Sequence, residues 1–179
     1  MPTLHIDDIK AIARRAHDDA AERERLFAAM RGDDREEAVH AAWALTHLPK
    51  GDNDHIARHR EALTALATTT ADTSLRRISL ALLERIDWEL QDSDDAPESY
   101  VALLNFSMEH IMMADEPYGV RALCMKLAYT LSLPYPELLE ELRRSLTMIE
   151  PAELSAGVRH TRNKIVGKVV SGQWIVTSG

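Results

Sequence analysis

Two groups of histidines have the residue types and the spacing that could do chemistry. His55 and His59 lie four residues apart, and on one helix this spacing would place both imidazoles on one face, where they could share a metal ion. The glutamate that follows the first histidine of a metalloprotease helix is replaced here by Ile56, and no third ligand is evident nearby beyond capping carboxylates. We therefore expect no bound metal and interpret the pair as a solvated helix face, with its N-cap at Asp52, Asn53 or Asp54.

The second group is His40, Trp43 and His47, which stand at i, i+3 and i+7 of one predicted helix. Such a stripe could line a pocket with an aromatic floor and two side chains that titrate near neutrality. The alternative is packing between helices, because a tryptophan often fills the space left by small neighbours such as Ala42 and Ala44. We favour packing as the interpretation of this stripe.

The sequence lacks the common catalytic motifs. It contains no glycine-rich phosphate loop, no Gly-x-Ser-x-Gly turn and no Cys-x-x-Cys pair. Cys124 stands between Leu123 and Met125 and is interpreted as a small core side chain rather than a nucleophile. The sequence therefore predicts a non-enzymatic protein without a cofactor.

Charge is unevenly distributed along a chain whose net charge is −8. No lysine or arginine occurs between residues 87 and 116, where nine acidic side chains stand: Asp87, Glu89, Asp92, Asp94, Asp95, Glu98, Glu109, Asp115 and Glu116. From residue 155 onward no acidic side chain accompanies the four basic ones, Arg159, Arg162, Lys164 and Lys168. These segments could bind a cationic and an anionic partner, or they could be a solvated loop and a cationic last helix. The negative overall charge argues against sequence-independent binding to nucleic acid.

The N-terminal sequence and the cysteine content predict a cytoplasmic location. Residues 1–10 lack the basic segment and apolar run of a secretory signal, and Cys124 has no partner for an intrachain disulfide. No apolar stretch reaches the roughly 18 residues that a membrane-spanning helix requires, so we expect no association with a membrane.

Prolines and short polar links divide the sequence into helices. Apolar residues recur at spacings of three and four, and no segment alternates as a strand would. Pro97, Pro117 and Pro136 fit the first turn of a helix, where the missing N–H costs nothing. The pattern predicts an N-terminal helical region over about 6–30 and seven further helices, at roughly 34–48, 54–69, 73–90, 97–113, 117–132, 136–148 and 155–170.

Helices of this length joined by short links pack as antiparallel neighbours. Leu75-Arg76, Val120-Arg121 and Val158-Arg159 each open the second helix of a pair, at intervals of roughly 40 residues, a period that is typical of HEAT and armadillo arrays. Over about residues 33–170 the chain resembles a small HEAT-like helical-repeat protein. The resemblance implies an all-α fold, a right-handed α-α superhelix of about four stacked hairpins.

The length of 179 residues suits one domain. We therefore predict a single helical-repeat domain over 1–179, with an N-terminal cap at 1–32, repeats at 33–170 and a C-terminal tail at 171–179.

The resemblance also implies a polar ladder. In HEAT repeats an acidic residue typically precedes the arginine of the second helix by six positions and pairs with it between stacked repeats. Asp115 with Arg121 and Glu153 with Arg159 match that spacing. Arg76 departs from it, because the residue six positions before is a threonine.

The predicted function is a non-enzymatic scaffold or adaptor that binds a protein or peptide on the face of the successive second helices. The predicted contacts are Trp43, Arg77, Arg121, Lys126, Arg159, Arg162 and Lys164. The alternative for Arg121 and Arg159 is that they are ladder residues and touch no ligand.

Two other classes stay open: a nucleic-acid-associated protein, similar to the helical-repeat DNA alkylation-repair enzymes, and a small enzyme that uses the histidines. The sequence leaves the oligomeric state undetermined.

Overall fold

The computed structural model describes residues 4–88 and 97–172. Within these two ranges the chain forms ten α-helices, two short 3₁₀ turns and no strand. The helices are α1 (Ile6–Asp18), α2 (Ala20–Ala29), α3 (Arg35–Thr46), α4 (Asn53–Ala57), α5 (Arg60–Thr69), α6 (Thr73–Glu84), α7 (Glu98–Met112), α8 (Tyr118–Ser132), α9 (Pro136–Met148) and α10 (Ala156–Val170). The predicted all-α fold class is confirmed for this part of the chain.

Short polar side chains and prolines start the helices. Asp19, Asp34 and Asp72 accept hydrogen bonds from backbone N–H groups in the first turns of α2, α3 and α6, and so satisfy donors that have no partner within the helix. Pro97 and Pro117 immediately precede α7 and α8, and Pro136 is the first residue of α9. The helix boundaries predicted at these three prolines are confirmed.

Two predicted helices are interrupted. The N-terminal region breaks at Asp19, whose extended backbone (φ −123°, ψ 113°) ends α1 and whose carboxylate caps α2. The predicted helix at 54–69 breaks at Arg58 and His59, which separate α4 from α5. The helix predicted to reach Leu90 ends at Glu84, and Leu90 itself lies outside the described residues.

The chain divides into two compact units, Met1–Asp87 and Trp88–Gly179. In the first unit α2 packs against α3 and α5 against α6, while α1 contacts both α2 and α3. The second helices of these two hairpins, α3 and α6, also pack against each other. The core of this unit is aliphatic and includes Ile9, Leu45, Ile56, Leu80 and Leu83.

The second unit repeats this arrangement with two further hairpins. Helix α7 packs against α8 and α9 against α10, and the second helices α8 and α10 contact each other. Its buried side chains include Leu103, Ile111, Met125, Leu127 and Leu146. Cys124 is also buried, as its apolar neighbours predicted.

The predicted subdivision differs from the packing at one place. A cap ending at residue 32 would include α2, whereas α2 forms a hairpin with α3. The single domain over 1–179 stays a prediction. Residues 173–179 of the predicted tail lie outside the described residues.

Candidate interaction surface

Arginines from neighbouring helices cap the C-terminal ends of several helices. Arg121 of α8 is the most buried of them, at 1% exposure, and its Nε and Nη2 both donate to the Ile111 carbonyl of α7, at 3.1 and 2.9 Å. The last carbonyls of a helix have no hydrogen-bond donor within the helix and lie at the negative end of its dipole. A guanidinium group supplies both the missing donor and a positive charge. Arg121 therefore holds the α7/α8 hairpin together.

The same device recurs in both units. Arg23 of α2 donates to the Ala16 carbonyl of α1 at 2.8 Å, and Arg76 of α6 donates to the Thr70 carbonyl after α5 at 2.7 Å. In the second unit Arg162 of α10 donates through Nε to the Leu146 carbonyl of α9 at 2.7 Å. Each of these arginines links its own helix by a hydrogen bond to the C-terminal end of the preceding helix.

Arg85 caps α3 from a greater distance along the chain. Its Nη2 donates to the Leu48 and Pro49 carbonyls at 2.9 and 3.0 Å and to the Asn53 side-chain oxygen at 2.7 Å. Burial lowers the pKa of the Arg85 guanidinium, and the Asp52 carboxylate acts in the opposite direction. Arg85 thus joins the first hairpin to the second.

The partners predicted for the ladder arginines are wrong. Arg121 donates to a helix carbonyl rather than to Asp115, which is exposed at the surface. Arg159 is exposed and donates to the nearby Leu154 carbonyl at 3.3 Å rather than to Glu153. The arginine positions were visible in the sequence, but backbone carbonyls carry no sequence signal that could have identified them as the acceptors.

An ion pair between hairpins occurs at a different place. Arg35 at the start of α3 donates through Nε to Asp72 Oδ2 at 2.5 Å, so it links the N-terminal ends of α3 and α6. The N–H of Leu75, the Arg35 guanidinium and the N–H of Ser74 lower the pKa of the Asp72 carboxyl, although partial burial opposes them.

A helix break lies between the two histidines that were considered as a metal-binding pair. His55 lies in α4 with Nε2 3.4 Å from Arg23 Nη2, whereas His59 precedes α5. His59 stacks on Phe27, with ring centroids 3.7 Å apart, and its Nε2 lies 3.0 Å from Glu24 Oε1. The expectation that both imidazoles share one helix face is wrong, because the helix breaks between them.

Asp52, one of the three predicted N-cap positions, is the N-cap residue of α4. Its side chain makes no capping hydrogen bond, because its buried Oδ2 lies 2.8 Å from Nδ1 of His17 in α1. Among residues 4–88 and 97–172, no group of three or more His, Cys, Asp or Glu side chains could hold a metal ion.

The stripe of His40, Trp43 and His47 does not form one pocket. His40 contributes to a cavity of about 470 Å³ among α1, α2 and α3, whereas His47 lines a separate cleft with Asp7, Lys10 and Arg14 of α1. Trp43 is half-buried and its ring lies 6.3 Å from that of His47.

In the second unit the second helices carry exposed lysines. Lys126 of α8 and Lys164 of α10 are exposed, and Lys168 Nζ lies 5.3 Å from the ring centroid of Tyr129 on α8. This contact is a cation–π interaction between α10 and α8. We call Lys126, Tyr129, Lys164 and Lys168 the α8/α10 surface. Arg121 and Arg162 were predicted as partner contacts on the second helices, but their guanidinium groups donate to helix carbonyls.

The predicted contacts of the first unit lie on its two second helices. Arg77 of α6 is exposed, next to the capping Arg76. Trp43 lies on α3, which packs against α6. These two residues stay candidates for a contact in this unit.

Part of the acidic segment falls outside the described residues, namely Glu89, Asp92, Asp94 and Asp95. Of the others, Glu98 and Glu109 are exposed on α7. Glu116 is buried, with Oε2 2.5 Å from His110 Nδ1, and His110 stacks on Phe106. The segment is therefore not a uniform acidic surface.

Antiparallel helix hairpins whose second helices pack together within each unit define a helical-repeat protein. A family model described as HEAT repeat domain matches residues 2–169, so the chain belongs to the HEAT repeat family. No curated protein and no solved structure matches the chain. In the described part of the chain, no helix has the length and apolar character needed to cross a membrane.

Proposed function

We propose that this HEAT repeat protein is a non-enzymatic adaptor that binds an acidic segment of a partner protein on the α8/α10 surface. The observation that carries the proposal is the placement of exposed Lys126 and Lys164 on two second helices that pack together. Carboxylates on a partner would complement these ammonium groups, and Tyr129 with Lys168 would provide a polar and aromatic neighbour.

The composition of the last helix supports an anionic partner. Residues 155–179 contain four lysines and arginines and no acidic side chain, although the whole chain has a net charge of −8. A local positive field on an acidic protein favours a partner with a compact acidic segment over a long polyanion, which the rest of the protein would repel. A protein ligand therefore fits better than nucleic acid.

Trp43 and Arg77 would provide a weaker contact on the first unit. Arg77 is exposed, and Trp43 is half-buried. A cytoplasmic location belongs to this proposal as well, supported by a single cysteine that is buried. The engagement of His17, His59 and His110 with carboxylates and helix neighbours supports structural rather than catalytic roles for them.

The test is a charge reversal at two positions. We expect the double variant Lys126→Glu and Lys164→Glu to bind a synthetic glutamate-rich peptide at least about tenfold more weakly in fluorescence anisotropy. The free energy of unfolding should change by no more than about 0.5 kcal/mol, because both side chains are exposed.

The matched control is the double variant Lys10→Glu and Lys50→Glu. Both lysines are exposed in the first unit, and the change in net charge is the same. If the two double variants weaken peptide binding equally, only net charge matters and the proposed binding at the α8/α10 surface is refuted. Tighter binding of a short DNA duplex than of the acidic peptide would support the nucleic-acid alternative instead.

A further inference from the structure

The first helices of the second unit leave an apolar groove open. A cavity of about 360 Å³ lies between α7 and α9, and its apolar lining includes Val101, Leu104 and Met108 from α7 and Leu138 from α9. Asn105, Glu141, Tyr100 and Tyr135 complete the lining. Val101 is 44% exposed although it is aliphatic. The groove is thus a surface on which solvent contacts aliphatic side chains.

Exposed methionines extend this apolar character along both helices. On α7 the residues Val101, Met108 and Met112 follow helical spacing, and Met112 is 43% exposed. On α9 Met148 is 74% exposed. Methionine is flexible and polarisable, so surfaces rich in it adapt to the apolar side chains of a partner. The strip from Val101 to Met112 covers about three helical turns.

The two helices that form this groove have a net negative charge. The charged residues of α7 are Glu98 and Glu109, both exposed, and Glu141 lines the groove itself. On α9 the two arginines are already matched, since Arg143 and Arg144 donate to Glu140 at 2.6 and 3.0 Å.

Hydrogen bonds from Arg143 and Arg144 lower the pKa of Glu140 to about 2, so this cluster stays ionised. Glu98 and Glu109 have no lysine or arginine on their own helix α7, and together with Glu141 they favour a ligand with positive charge.

We propose that the α7/α9 groove binds an amphipathic, cationic helix of a partner protein. Apolar side chains at i, i+3 or i+4 and i+7 of that helix would pack on Val101, Met108 and Leu138, and its lysines or arginines would face Glu141 and Glu109. The groove lies on the first helices and attracts cations, whereas the α8/α10 surface lies on the second helices and attracts anions. The two sites therefore predict two partners of opposite charge.

The probe for this proposal is a synthetic peptide of roughly 18 residues with leucines at helical spacing and lysines elsewhere. A peptide with glutamates in place of the lysines is its counterpart. We expect the leucine/lysine peptide to bind in fluorescence anisotropy and the leucine/glutamate peptide to bind at least about tenfold more weakly. Equal binding of both peptides, or no binding of the first, would overturn the proposal.

A pair of neighbouring substitutions locates the site. Val101→Lys places a cation in the groove, whereas Ala102→Lys places the same charge on an exposed position that does not line it. Affinity for the leucine/lysine peptide should fall about tenfold for Val101→Lys and change by less than about twofold for Ala102→Lys. Equal effects would mean that net charge alone attracts the peptide.

Methionine methyl NMR provides a measurement on the unmodified protein. The signals of Met108, Met112 and Met148 should shift on addition of the leucine/lysine peptide, while those of buried Met30 and Met125 should not. Shifts confined to other methionines would place the peptide elsewhere and refute its binding in the groove. The double variant Lys126→Glu and Lys164→Glu should bind this peptide at least as well as the wild type, so the two proposals fail independently.

Discussion

The two units join their helices in different ways. Both units place a buried arginine on a helix carbonyl, Arg23 in the first and Arg121 in the second. The first unit adds several side-chain pairs near the surface, namely Arg35 with Asp72, His59 with Glu24 and Arg85 with Asn53. In the second unit Arg121 is fully buried, and the Tyr100 hydroxyl donates to the Leu131 carbonyl in the interior.

The difference bears on where ligands can bind. The second unit carries exposed lysines on α8 and α10 and an apolar groove between α7 and α9. We therefore expect stability to depend on several moderate contacts in the first unit and on a few buried ones in the second.

The largest expected effect comes from Arg121→Ala. Because the Ile111 carbonyl loses a charged donor and the buried space is left empty, we expect the free energy of unfolding to fall by about 3 kcal/mol. Urea denaturation followed by circular dichroism measures this change. Arg159→Ala, at an exposed position of α10, is the control and should cost at most about 0.5 kcal/mol. A loss under about 1 kcal/mol for Arg121→Ala would remove the contrast between the units.

Arg85→Ala tests the corresponding junction of the first unit. Here the carbonyls of Leu48 and Pro49 can bind water once the guanidinium is gone, so we expect a smaller loss of about 2 kcal/mol. The control is Arg77→Ala on α6, the helix that ends just before Arg85, because the Arg77 side chain is exposed. If Arg85→Ala proves more harmful than Arg121→Ala in the same denaturation experiment, the comparison is reversed.

Tyr100→Phe removes one buried hydrogen bond of the second unit and should cost about 1 kcal/mol at neutral pH. Burial is the main cause that raises the pKa of Tyr100 to about 12, above its ordinary value of 10.0. The folded state therefore keeps this proton longer than the unfolded state does, and the stability that Tyr100 provides is lost as pH rises from 10.0 through about 12.

Unfolding measured in urea at increasing pH should show the difference between wild type and Tyr100→Phe shrinking over that range. A constant difference would show that the hydroxyl does not titrate with folding. Replacement of the half-exposed Tyr135 by Phe is the matched control and should leave most of the wild-type alkaline loss in place.

The smallest effect is expected for Asp72→Asn in the first unit. Asparagine keeps an oxygen for the N–H groups of Ser74 and Leu75 but loses the ion pair with exposed Arg35, so the cost should be about 0.5 kcal/mol at neutral pH. The pKa of Asp72 lies below its ordinary 3.8, so its contribution is present above that pH and is lost as pH falls through the lowered pKa.

Acid titration of stability should therefore bring wild type and Asp72→Asn together below pH 3.8. Asp33→Asn, at an exposed position before α3, should show no such convergence. The contrast between the units would be sharpened if the stabilities of wild type and Asp72→Asn become equal at low pH and those of wild type and Tyr100→Phe become equal at high pH.

The sequence by itself determined the helical class, the proline boundaries and the repeat family. Apolar spacing of three and four marks a helix wherever it packs, and a proline such as Pro136 restricts the backbone locally. The burial of Cys124 followed from its apolar neighbours for the same reason.

Only the tertiary structure decided what the polar side chains do. His55 and His59 were expected on one face, but a break between α4 and α5 placed them against Arg23 and Phe27 of α2. Arg121 was expected at the surface or beside Asp115, but it lies in the interior on the Ile111 carbonyl. A side chain's partner depends on which backbone atoms the packing leaves unsatisfied, and that is settled only when helices distant in sequence meet.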